Sequence, residues 1–135
     1  MILELIRVAL GKQLKLSHNP SQEEWKELFS ETQKQSVVGI AFEGVQKLPK
    51  EQWPSQALLF EWIGVTEMIK QRNELLNEHC VKLQKHFKDA GIRSSILKGQ
   101  GVARYYDENL NSLRQPGDID AYVDCGRERY RLRLT

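Results

Sequence analysis

The sequence is poor in cysteine and proline, weak in net charge, and without a long apolar run. Its 135 residues include only two cysteines, Cys80 and Cys125, far apart and with no CxxC pair or zinc-ligand spacing. That excludes a zinc ribbon or a disulfide-stapled secreted scaffold and fits reduced thiols in a cytoplasmic protein. The formal charge is +2, from 20 Lys and Arg against 18 Asp and Glu. A field that weak argues against a membrane surface or a long nucleic acid as partner. The opening MILELIRVALGK is broken by Glu4 and Arg7 and has no basic leader, so neither a signal peptide nor a spanning helix is expected. No glycine stands upstream of Gly11-Lys12 at P-loop spacing, which makes that pair a helix end. His79 and His86 lie seven apart, whereas a helical metal pair needs three or four, so a helix–helix contact is expected of them.

What is present is a helical stretch followed by a shorter one of different period. With 40% of residues apolar and 28% charged, the chain has enough material for a core. Ile2, Leu5, Ile6 and Leu10 recur at helical spacing before Gly11. Ser21 and Glu24 have capping-box spacing ahead of Trp25, Leu28 and Phe29, which predicts a helix over 21–34. Val37, Val38, Ile40, Ala41, Val45 and Leu48 suggest a third helix, stopped by Pro49. From 54 to 90 the apolar positions Trp62, Val65, Ile69, Leu76, Cys80 and Leu83 step by three, four and seven. That predicts one long helix, or two nearly collinear ones with a kink near Arg72-Asn73, closed at Gly91. Trp53 and Trp62 are expected in the core.

After Gly91 the period falls to two. Ile92, Ser94, Ile96 and Lys98 alternate with Arg93, Ser95 and Leu97, predicting a strand that ends at Gly99. A short helix over 100–106 is expected to turn Val102, Ala103 and Tyr106 inward, with Arg104 facing solvent. A polar turn region follows, then a second strand over 118–123. Side chains two apart on a strand face the same way, so Asp118 and Asp120 would stand side by side as hard oxygen ligands suited to magnesium. Upstream, Lys98-Gly99 joins the first strand to the short helix. A glycine there lets backbone approach a phosphate, the helix start offers free N–H groups, and Lys98 adds positive charge.

The run Leu97-Lys98-Gly99, Tyr105-Tyr106, Arg114 and Gly117-Asp118-Ile119-Asp120 resembles the signature of a nucleotidyltransferase family in the DNA polymerase β-like superfamily, in particular a bacterial group of uncharacterised members. The specific likeness covers residues 96–122. It implies an α+β fold, with a helical bundle over 1–90 and the beginning of a nucleotidyltransferase-type mixed sheet over 91–135. It further implies transfer of a nucleoside monophosphate from a nucleoside triphosphate such as ATP to an acceptor, with Mg2+ as cofactor. Carried over, Asp118 and Asp120 would be catalytic metal ligands, and Lys98, Gly99, Gln100 and Arg114 would bind the nucleotide. Tyr105 or Tyr106 could flank the nucleotide, a core role being expected for one of them.

The superfamily's third carboxylate lies on a later strand, and only eleven residues follow Asp124. Glu128 is too close in sequence to supply it. The tail Arg127-Glu128-Arg129-Tyr130-Arg131-Leu132-Arg133-Leu134 alternates with period two, strand-like where the resemblance implies a helix. Either the topology differs from the family's, or the chain is a truncated portion that stops before the fold is complete. A half-built sheet would leave an edge that invites a second copy. The rival expectation is a non-catalytic binding or assembly module derived from the same domain. A dinucleotide-binding reading of Gly99-Gln100-Gly101 fails, because Arg104 stands at the third glycine position.

Overall fold

The computed structural model describes residues 1–125 and 128–134. Arg127 lies outside them, and the side chains of Glu128 and Arg129 are not described. The elements in chain order are α1 (Ile2–Ala9), α2 (Gln22–Lys34), α3 (Val38–Lys47), a 3₁₀ turn (Lys50–Gln52), α4 (Gln56–Asp89), β1 (Arg93–Leu97), α5 (Lys98–Ala103), β2 (Ile119–Cys125) and β3 (Glu128–Leu134). This is an α+β chain. Two compact units divide it: Met1–Ile69 with Leu113–Gln115, and Lys70–Ser112 with Pro116–Thr135.

The first unit is helical because its apolar residues repeat at helical spacing and its caps are in place. Ser21 Oγ accepts from the Glu24 N–H at 3.1 Å, and the Glu24 carboxylate accepts from the Ser21 N–H at 3.2 Å, the reciprocal box that the spacing predicts. Trp25 and Trp62 are fully buried and meet edge to face at 6.0 Å, with Phe29 5.0 Å from Trp62. Each buried indole donates to a backbone carbonyl, Trp62 to Val38 at 2.9 Å and Trp25 to Gln52 at 3.1 Å. Buried Gln52 in turn clamps Leu16, accepting from its N–H and donating to its carbonyl. At Gly39 a Cβ would fall 2.4 Å from the Leu113 carbonyl oxygen, so only glycine lets the segment with buried Leu113 reach the helices.

In the second unit α4 runs uninterrupted through Arg72-Asn73. Asn73 is buried there, its amide donating to the Ser112 carbonyl at 2.9 Å, so a polar residue fits the buried side of the helix. Both pairings of the sheet, ordered β1-β2-β3, are antiparallel. One face carries Ile96, Ile119, Ala121 and Val123; Ile119 and Ile96 pack with Leu76, Cys80 and Leu83 of α4. The opposite face carries Leu97, Asp120, Tyr122, Arg131 and Arg133, as alternation along paired strands requires. His79 and His86 are exposed and line a groove with Ile119 and Leu134; the helix–helix contact expected of them gives way to a position at the sheet.

Helix α5 ends at Ala103, earlier than the period suggests. Of the three residues expected to point inward, only Ala103 is buried; Val102 and Tyr106 are exposed. With Tyr106 beyond the helix end, its helical phase no longer applies. Tyr105 is 73% exposed, so neither tyrosine takes a core role. The Arg104 guanidinium lies in solvent over the Tyr105 ring, 4.9 Å from its centre.

Candidate functional site

The strand-to-helix turn after β1 is built from backbone conformations that few sequences adopt. Lys98 has φ of +50°, a region that costs a residue with a Cβ about 1–2 kcal/mol. Gly99 next to it is non-helical, with φ 12° and ψ −102°, so helical geometry begins only after it. Such a bend turns Lys98 back toward the sheet, where its Nζ lies 3.7 Å from Asp120 Oδ2. Gly101 then allows the helix to sit against the strand it follows. A Cβ there would lie 2.2 Å from the Ile96 carbonyl oxygen. Of the two glycines, the second is thus spent on packing.

Asp118 and Asp120 are brought together, but not as equals. Strand β2 begins at Ile119, so Asp118 precedes it and its side chain is 44% exposed, while the Asp120 side chain is 8% exposed. Register places Arg133 directly across from Asp120 and Arg131 across from Tyr122. Arg131 Nη2 donates to Asp120 Oδ2 at 3.1 Å. Arg133 Nε stands 3.5 Å from Asp120 Oδ1 and 3.9 Å from Asp118 Oδ2, a single positive charge shared by both carboxylates. Three cations therefore surround one buried carboxylate.

Burial pushes the Asp120 carboxyl up, but the hydrogen bond and charge of Arg131, the charge of Lys98 and the hydrogen bond of Arg133 outweigh it and hold the pKa below its ordinary 3.8. A carboxylate with a lowered folded-state pKa adds stability above its unfolded pKa and loses it as pH falls through the folded value. Urea titrations from about pH 6 to pH 2 are expected to show stability falling below pH 3.8 more steeply in the wild-type chain than in Asp120→Asn. Parallel curves would refute this role of the carboxylate.

The remaining sequence-predicted residues are placed differently. Gln100 donates from Nε2 to Asn77 Oδ1 on α4 at 2.7 Å and lines a cleft of about 270 Å³ with Cys80, Gln84, Ser95 and Arg104. Arg114 lies in the Leu113–Gln115 segment of the first unit. Arg131 and Arg133 were not singled out as site residues by sequence reasoning. The only signal for them was the period-two tail, which predicts a strand but not its partner or register.

A family model described as uncharacterised nucleotidyltransferase matches residues 21–131, which includes the turn, both aspartates and Arg131. The chain belongs to that family. Nucleotidyl transfer is the chemistry the family points to, and a nucleotide the substrate it implies. No curated protein and no solved structure matches the chain. No helix among the described residues is long and apolar enough to cross a membrane.

Whether these nucleotidyltransferase-family residues suit a divalent metal is decided by the donor set. Two carboxylates that share one positive charge suit a magnesium ion whose shell is completed by phosphates and water. Asp118 and Asp120 already share one in Arg133 Nε. Among the described residues no group of three acidic, histidine or cysteine side chains converges to hold a metal. A metal at this pair would need further oxygens from phosphate or water to complete its shell.

Proposed function

We propose that this chain carries the nucleotide-binding part of a magnesium-dependent nucleotidyltransferase, which moves a nucleoside monophosphate from a triphosphate to an acceptor hydroxyl or phosphate. The observation that carries the reading is the convergence of Asp118 and Asp120 on one shared cation beside the Lys98-Gly99 turn. Asp118 and Asp120 would hold Mg2+, whose contribution when bound is to neutralise phosphate charge and lower the pKa of the attacking group. The chain's own residues supply position and charge. Asp120, fixed by Arg131 from the neighbouring strand, sets the orientation of the pair. Lys98 presents its ammonium on the same side, where a phosphate oxygen would find a mobile point charge. Gln100, held by Asn77, keeps α5 against α4 and so fixes the turn that carries Lys98.

In this reading the chemistry belongs to residues 91–135. Association with a second copy through a strand edge is part of the same proposal, since β1 and β3 each pair only with β2 among the described residues.

Titration calorimetry with ATP, GTP, CTP and UTP tests the reading. At least one is expected to bind in the presence of magnesium, and Asp118→Asn and Asp120→Asn should each weaken that binding at least about tenfold. If none of the four binds the intact chain with magnesium, the nucleotide reading is lost. A second reading, a non-catalytic binding module, is favoured by the arginines that face the carboxylates. It predicts nucleotide binding of the same kind without pyrophosphate release.

A further inference from the structure

The two oxygens of Asp120 have different neighbours. Arg131 and Lys98 both approach Oδ2, at 3.1 and 3.7 Å. Oδ1 faces Arg133, the same guanidinium that reaches Asp118. The Arg133 contacts are 3.5 and 3.9 Å, longer than the Arg131 bond, and its side chain is 62% exposed on an edge strand. Arg133 is thus held more loosely than Arg131, and of the three cations at Asp120 it is the one that also reaches Asp118, in the bridging position.

From this geometry we propose that Arg133 is a phosphate-binding residue held in reserve, filling the bridging position between Asp118 and Asp120 until a metal-bound nucleoside triphosphate arrives. The proposal rests on the reading of the two aspartates as metal ligands. A dication held by Asp118 and by Oδ1 of Asp120 would compete with Arg133 for the same two oxygens, and the repulsion of like charges there favours a change of partner for the guanidinium. The incoming triphosphate carries the compensating charge. A guanidinium presents a planar fork of donors that matches phosphate oxygens, so Arg133 changes partner from carboxylate to phosphate without leaving the site. Arg131 stays with Oδ2, so Asp120 does not lose its orientation during the exchange. In the empty chain Arg133 serves a second purpose: it screens the two carboxylates from each other and from casual cation binding.

The role predicts effects of opposite sign from one substitution. Removing the guanidinium frees the bridging position for a bare cation but takes away a phosphate ligand. Mn2+ alone, followed by electron paramagnetic resonance, is expected to bind Arg133→Gln about tenfold more tightly than the wild-type chain. ATP in saturating Mn2+ is expected to bind the same variant about tenfold more weakly. Arg133→Lys keeps the charge without the fork, so it should hold Mn2+ as weakly as wild type yet still lose ATP affinity. This second variant also preserves the screening of the carboxylates, which guards against loss of fold. Shifts of the same sign for Mn2+ and ATP, or no shift in either, overturn the proposal while leaving the aspartates as metal ligands. Failure of Mn2+ to bind any of the three proteins overturns both.

Discussion

Gly101→Val is expected to dismantle the second unit while leaving the first folded. A β-carbon at residue 101 meets the Ile96 carbonyl oxygen at 2.2 Å and its carbon at 2.9 Å, backbone against backbone, so no side-chain rotation relieves it. Overpacking of this kind costs about 1–3 kcal/mol, and the two added methyl groups of valine deepen the conflict. The cluster between α4 and the sheet is small, with Leu76, Cys80 and Ile119 as its buried members. The consequence for the site is direct: if α5 lifts from β1, the turn that aims Lys98 at Asp120 goes with it. Hydrogen exchange should show loss of protection in β1 and β2, and magnesium-dependent nucleotide binding should disappear. All three tryptophans, Trp25, Trp53 and Trp62, lie in the first unit, so tryptophan emission should stay native. Retained protection in β1 would show that the close approach at Gly101 is dispensable.

Trp62→Ala is expected to have the reverse distribution, collapsing the first unit. Trp62 is fully buried, touches Trp25 and Phe29, and its indole satisfies the Val38 carbonyl at the start of α3. Truncating a buried tryptophan costs about 3–5 kcal/mol through lost contacts and the cavity left behind. Against a total stability on the order of 5–15 kcal/mol, that removes a large share of what holds the helices together. A urea melt followed by emission of Trp25 and Trp53 should show a midpoint far below that of the wild-type chain. A transition close to the wild-type midpoint would mean that the aromatic trio is peripheral.

The helices were legible in the sequence because each depends on local signals. Ser21 and Glu24 lie three residues apart whatever the tertiary structure, and the steps between Trp62, Ile69, Leu76 and Cys80 persist along the buried side of α4. Kinks and short helices were less legible. Asn73 interrupts the apolar stripe on paper, yet α4 continues through it and its amide finds Ser112, thirty-nine residues on. The site was half legible. Spacing alone brings Asp118 and Asp120 close, and Lys98-Gly99 marks the turn. The difference in burial between the two aspartates follows from where β2 begins, and the arginines opposite them follow from register, which no local pattern encodes. Gly101 shows the same limit: its need to be glycine comes from a carbonyl five residues earlier that only the folded turn brings near.

The buried Leu113 under Gly39 has a consequence for how the protein is made. The first unit includes residues 113–115, which are translated after α4, β1 and α5. On the ribosome its helices emerge early but wait for roughly forty more residues, a delay of a few seconds at ordinary synthesis rates. The polypeptide therefore passes between its units three times, and no single protease cut can release either one intact.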